Sequence, residues 1–194
     1  FERAGIVRCD SITTQFNFAR AFAAQPLPPG QRIAVVTNAG GPGILAVDAC
    51  ESAGLTVVEF STETRARLAA FLPPEASIGN PVDMVASAGP DEYRRTIEVA
   101  LTSSDADALI VIYTPVDLEH TDQTLQAVRE GIVAGRRAGA TGKPILACVM
   151  AGKGRPRPFV LDGEHVPAYG FPENAARALA KVAAYADWRS QSPG

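Results

Sequence analysis

Two histidines, three cysteines and one tryptophan are all that this chain of 194 residues carries of the scarce side chains that so often do metal, thiol or redox chemistry. His120 and His165 stand far apart, each in a polar stretch, with no Ser/His/Asp arrangement around them, and both read as surface residues. Cys9, Cys50 and Cys148 are widely spaced, odd in number and without a CxxC pair, which excludes a disulfide framework or a zinc site and suits reduced thiols in a cytosol. An excess of positive charge is also missing. Lys and Arg number 18 against 21 Asp and Glu, the net charge is -3, and nucleic acid is thereby excluded as the main partner. No apolar run approaches the roughly 20 residues of a membrane span, and no signal-peptide pattern opens the chain. Phe1 is not a methionine, and "FERAGIVRCD" reads as the continuation of something upstream, so a fragment of a longer protein is expected.

What the chain does have is alternation. Ser11 or Asp10 caps a helix expected over 12–24, which "QPLPPGQ" ends. A strand follows at 32–37, a helix at 43–53 closed by Gly54, a strand at 55–59, and a helix to 72 capped by Ser61 or Thr62. The stretch "PPEASIGNPVD" is a long irregular connection. Pro90 opens a helix to about 101, with Asp91 and Glu92 in its first turn complementing the macrodipole. A continuous apolar strand at 108–113, a helix at 122–137, another apolar strand at 143–150, a short strand at 166–169 and a helix from Pro172 to about Trp188 complete the chain. Strands that are apolar throughout and separated by helices imply a parallel sheet covered on both faces with right-handed crossovers. The fold class is α/β, a flavodoxin-like doubly wound parallel sheet with helices on both faces. Residues 1–30 are expected to be a linker and helix from a preceding domain, 31–189 the flavodoxin-like domain and 190–194 a tail.

The stretch "VVTNAGGPGILAVDACESAGL" then asks why an apolar strand runs into Asn38, Ala39, Gly40, Gly41, Pro42 and Gly43, with no charge, before a helix. Glycines permit positive φ and close approach to the backbone, and a helix N-terminus carries about half a positive elementary charge. The turn therefore suits an anion held by N–H groups without a basic side chain. A tight βα turn whose glycines only let helix and strand pack closely explains the same residues, and the stretch matches neither GxGxxG nor GxxxxGK[ST]. In Asn80-Pro81-Val82-Asp83, turn chemistry competes with a carboxylate, Asp83, displayed beside the glycine turn. "GKGRPRP" brings Lys153, Arg155 and Arg157 into one loop, read either as solvated or as a phosphate clamp. In doubly wound sheets ligands bind beyond the carboxyl ends of the strands, where residues 38–43, 114–115 and 151–157 are expected to converge.

The blocks "RIAVVTNAGGPGILAVDACESAGL", "IGNPVDMVASAGPDEYRRTIEVAL", "ADALIVIYTP", "GKPILACVMAG" and "YGFPENAARALAKVAAYADW" resemble, in order, the C-terminal flavodoxin-like, succinyl-CoA ligase-like domain of the NDP-forming acyl-CoA synthetases. The resemblance covers nearly the whole chain. It implies a part of an enzyme that interconverts acid, CoA and NTP with acyl-CoA, NDP and phosphate through a CoA-binding domain, a histidine-bearing domain and an ATP-grasp domain or subunit. It also implies that Asn38, Ala39, Gly40, Gly41 and Gly43 stabilise a phosphohistidine carried on another domain; Asn80, Asp83, Lys153 and Arg155 are expected, from their own chemistry and not from the resemblance, to line the site. ATP or ADP, Mg2+ and CoA are implied for the full enzyme, with no cofactor bound by this piece alone and no catalytic group of its own. The basic loop matches no family function. Two alternatives stay open: a non-catalytic ligase-like regulatory region of a protein lysine acetyltransferase, and a stand-alone flavodoxin-like binding protein.

Overall fold

The structure is a computed structural model that describes residues 4–116, 119–150, 157–161 and 163–191. In chain order it comprises α1 (Ile12–Ala24), β1 (Arg32–Thr37), α2 (Gly40–Ser52), β2 (Thr56–Val57), α3 (Thr62–Ala69), β3 (Val82–Asp83) and α4 (Pro90–Thr102), then β4 (Ala108–Tyr113), α5 (Thr121–Arg137), β5 (Ile145–Val149), β6 (Phe159–Leu161), β7 (Glu164–Val166), β8 (Ala168–Tyr169) and α6 (Pro172–Gln191). The main sheet runs β2-β1-β4-β5-β8, every pairing parallel, with β3 also parallel to β1 on the edge that β2 occupies. The expected adjacency of β1, β4 and β5 is met. That order is the flavodoxin-like one, so the doubly wound assignment holds.

The pleat explains the two layers. Alternate residues of a strand point to opposite faces. Ile33 and Val35 of β1, with Ile110 and Ile112 of β4, enter a core shared with Ala46 and Cys50 of α2, Phe18 and Ala21 of α1, and Ala175 and Leu179 of α6. Ala34 and Val36, with Leu109 and Val111, face the other way, onto Tyr93 and Ile97 of α4 and Val128 and Ile132 of α5. Burying each large apolar side chain contributes roughly 1.5–3 kcal/mol, and both faces of every central strand gain it. Close approach of α4 and α5 depends on glycine: a Cβ at Gly131 would lie 2.6 Å from the Arg94 carbonyl oxygen. Helix α1 starts under the Ser11 cap, whose Oγ accepts from the Thr14 N–H at 3.1 Å, and packs Phe22 edge-on against Tyr185 of α6. Trp188 stacks on Tyr185 with ring centroids 5.5 Å apart. Among the described residues no helix is long and apolar enough to cross a membrane.

The sequence expectation fails at three places. Helix α2 begins at Gly40 and not at 43, because Gly40, Gly41 and Pro42 take helical backbone and a proline in the first turn forfeits no helical hydrogen bond. The second strand shrinks to Thr56–Val57, and the irregular connection hides β3, a strand of two residues. An antiparallel hairpin, β6–β7, precedes β8 where only one short strand was expected.

Candidate functional site

The carboxyl ends of β1, β3 and β4 and the start of α2 form one corner of the molecule. Thr37 ends β1, and its hydroxyl accepts from the Ala39 N–H at 3.0 Å. The buried Asn38 side chain bridges to β4: its Oδ1 accepts from the Thr114 N–H and its Nδ2 donates to the Thr114 carbonyl, both at 2.9 Å. Residues 38 and 114 therefore converge as expected, and the Asn38 amide holds the two strand ends together. Beneath it the Tyr93 hydroxyl donates to the Ile112 carbonyl at 2.9 Å, and burial keeps its pKa well above the ordinary tyrosine value.

The expected set of N–H donors narrows in the structure. Gly43 N–H donates to the Ala39 carbonyl at 3.2 Å, Pro42 has no N–H, and Ala39 is bound to Thr37. The amides of Gly40 and Gly41 have no hydrogen-bond partner among the described residues, and both residues are exposed. The glycines also differ in what demands them. A Cβ at Gly43 would come within 3.0 Å of Thr37 Cγ2, so Gly43 is a packing residue. A Cβ at Gly41 would meet nothing within 4 Å. None of the three lies at positive φ, which removes the conformational reason given above. Glycine inside a helix costs about 1 kcal/mol relative to alanine. At Gly41 neither packing nor backbone geometry requires that cost.

A cavity of about 410 Å³ opens beside this corner, lined by Gly40, Ile44, Glu59, Arg65, Asn80 and Asp83 among others. Asn80 reaches it but is committed elsewhere. Its Oδ1 accepts from Val35 N–H at 2.8 Å, and its Nδ2 donates to the carbonyls of Ile33 at 2.7 Å and Val58 at 2.8 Å. It thus fills the gap on the β1 edge between β2 and β3, acting as a missing strand residue. Asp83 Oδ1 accepts from Val85 N–H at 3.0 Å, while Oδ2 lies 3.0 Å from where a Gly40 Cβ would stand. Val85 itself sits at φ 64, uncommon for a β-branched residue and placed where the chain leaves the corner. Arg65 and Glu59, which sequence reasoning did not single out, face the same space from across β2. Nothing local marks them, since they reach the corner only through the fold.

Lys153 and Arg155 lie outside the described residues, and neither histidine lines this cavity. Cys50 and Cys148 are buried free thiols whose pKa is pushed up to about 12 by burial, assisted by the nearby carboxylates Glu51 and Glu173 respectively. They are inert as nucleophiles near neutral pH. Among the described residues no three His, Cys, Asp or Glu side chains come together as a metal site. The corner offers two N–H groups at a helix start without a partner among the described residues, one cation, Arg65, and two carboxylates, Glu59 and Asp83.

Comparison with known proteins gives a consistent pattern. Residues 33–190 match the family described as Ligase-CoA domain. An acetate–CoA ligase [ADP-forming] II subunit alpha of Pyrococcus furiosus is 38% identical over 92% of this chain, which spans 38% of that protein. A 4-hydroxybutyrate–CoA ligase [ADP-forming] of Nitrosopumilus maritimus is 30% identical over 100% of this chain and 27% of its own length. Among solved structures, a protein of Pyrococcus horikoshii OT3 superposes with a TM-score of 0.83 at 34% identity, over 97% of this chain and 43% of the other. A dinucleotide-forming acetyl-coenzyme A synthetase 1 of Ca. Korarchaeum cryptofilum, solved with phosphate and ADP, gives a TM-score of 0.79 at 30% identity, over 98% and 40%. The chain thus spans well under half the length of each of these relatives.

Proposed function

As the chain belongs to the Ligase-CoA domain family, we propose that it serves as one domain of an ADP-forming acyl-CoA synthetase and that the start of α2 receives a phosphoryl group carried on a histidine of another domain. The relatives named as ADP-forming ligases support the first half of this reading. The observation that carries the second half is Gly41, an exposed helical glycine that the fold does not need, with free amides at residues 40 and 41.

The charge pattern at helix starts agrees. Helices α3, α4, α5 and α6 each carry an acid in the first turn, the usual complement to the macrodipole, whereas α2, like α1, carries none. The first turn of α2 is left for an anion that arrives from outside. An N–H donating to a charged oxygen contributes roughly 1.5–3 kcal/mol, and fixed dipoles need no reorganisation as charge moves. Asp83 beside Gly40 works against a long stay, because two negative groups a few ångströms apart repel. A transient phosphoryl group fits such a half-site better than a resident nucleotide does.

In this reading the domain contributes neither nucleophile nor general base. CoA, the nucleotide and Mg2+ belong to other domains of the parent enzyme, with the CoA-binding and histidine-bearing domains and an ATP-grasp domain or subunit as its partners. Steady-state acyl-CoA formation by the full-length enzyme tests it. Gly41→Ala is expected to lower kcat severalfold and Gly41→Asp by two orders of magnitude or more, with the fold retained. Near-normal turnover in both variants would reduce the glycine to an accident of the helix.

A further inference from the structure

Helices α1, α6 and α2 lie side by side on one face of the sheet, α1 packed on α6 and α6 on α2. All three start at the carboxyl edge. For α2 and α6 this follows from their place after β1 and β8. For α1 it follows from two contacts: Gln25, just past its end, accepts from the N–H of Ile145 at the start of β5, and the Tyr169 hydroxyl at the end of β8 donates to the Asn17 carbonyl in its second turn. Each start bears a large apolar side chain in water: Ile12 and Phe16 on α1 are 73% and 65% exposed, Phe171 ahead of α6 is 61% exposed, and Ile44 and Leu45 on α2 are about half exposed. These five make up most of the exposed large apolar side chains among the described residues. Charge is sparse on α1, which carries only Arg20 in 13 residues, and neither α1 nor α2 has an acid in its first turn, while Asp10 ahead of α1 and Glu173 in the first turn of α6 stand at the margin.

We propose that this rim of three helix starts is a docking surface for another folded domain of the parent polypeptide, one whose mating face is apolar and uncharged. Large apolar side chains gathered in water along one edge mark an interface, and depletion of charge marks the centre of one. The occupant is argued from length. The matched relatives hold this domain within chains more than twice as long, the Pyrococcus furiosus subunit giving it 38% of its length and the solved Pyrococcus horikoshii chain 43%, so further polypeptide is covalently at hand. A highly charged partner such as nucleic acid has nothing on the rim to bind. Ile12 and Phe16 stand two helices away from Gly41, so the surface extends beyond the anion corner and is tested apart from it.

The test uses the full-length parent protein in a Cys9→Ser background, with Phe16→Cys or Phe171→Cys as the reporter. Maleimide labelling is normalised to a short cysteine peptide and followed over a hundredfold range of protein concentration. The proposal expects labelling slowed at least tenfold at both positions, independent of concentration, and largely restored at Phe171→Cys when Ile12→Glu and Phe16→Glu are added. Labelling within threefold of the peptide at both positions would show a bare rim and overturn it. Slow labelling that speeds up on dilution would assign the surface to a second copy, which also overturns it. Slow labelling at Phe171→Cys that survives the two glutamates would trace to local burial and overturn it as well. Phosphoryl transfer enters none of these readouts, so the anion reading stands or falls separately.

Discussion

The side-chain amide of Asn38 closes on both backbone groups of Thr114, accepting from its N–H and donating to its carbonyl at 2.9 Å each. One buried side chain thereby fixes the ends of β1 and β4 at the corner where α2 starts. The candidate site depends on these two bonds for its position.

Replacement of Asn38 by Asp sets a carboxylate oxygen against the Thr114 carbonyl, since only the amide nitrogen can donate there. A buried polar group left without its partner costs roughly 1–3 kcal/mol. For a chain of this size that corresponds to a loss of roughly 2–12 °C in Tm. Urea denaturation of wild type and variant measures it directly.

Asn80→Ala removes three hydrogen bonds that replace a strand residue on the β1 edge. Each net bond contributes about 1 kcal/mol, so a loss of about 2–3 kcal/mol is expected. Because the Asn80 amide is consumed by the backbone, phosphoryl transfer per folded molecule is expected to stay within about threefold of wild type. A large drop in transfer with stability unchanged would make Asn80 a ligand contact instead.

Acid weakens the opposite, amino edge of the sheet. Burial raises the Asp105 pKa, but hydrogen bonds from Thr64, Ser61 and Ser103 outweigh it and leave the carboxyl at about 2, below the ordinary 3.8. The folded value is lowered, so the stabilisation is fully present above the unfolded value and lost as pH falls from about 4 to about 2. Solvent screening limits its worth to about 1 kcal/mol. Asp105→Asn is expected to flatten the stability profile in that window and lower the plateau above it, as read from denaturation midpoints at several pH values.

Asp83→Asn removes the carboxylate that crowds Gly40. Two unit charges about 4 Å apart and screened by solvent repel by about 1 kcal/mol. Inhibition of the full-length enzyme by inorganic phosphate is expected to tighten roughly 3- to 10-fold in this variant. Unchanged inhibition would place the anion away from Asp83.

Legibility of the fold followed the physics of each element. Strands β1 and β4 were readable to the residue because both faces are buried along 33–36 and 108–113, so an unbroken apolar run marks each. Helix α1 showed through the Ser11 cap, and α4 through Pro90 with Asp91 and Glu92. The start of α2 was not readable, because two glycines and a proline argue against a helix by propensity, and the first turn forms nonetheless. Asn80 was flagged as turn chemistry, but its partners lie at residues 33, 35 and 58, and no local pattern encodes such a splice. Arg65 reaches the corner from a different helix and carries no signal of its own. At the site, the glycines pointed to an anion, while only the structure separates Gly43, held by packing, from Gly41, which packing leaves free.

The central claim concerns Gly41, and a single-turnover measurement of phosphoenzyme formation in the full-length parent protein meets it most directly. An acid in the first turn of a helix favours the helix, and replacing a helical glycine favours it further, so Gly41→Asp is expected to be at least as stable as wild type. The same carboxylate occupies the position of the incoming phosphoryl group and repels it. With radiolabelled nucleotide in a rapid-quench experiment, the account predicts a stable Gly41→Asp protein whose rate of phosphoryl transfer falls at least a hundredfold. Transfer at the wild-type rate in a stable Gly41→Asp protein would contradict it.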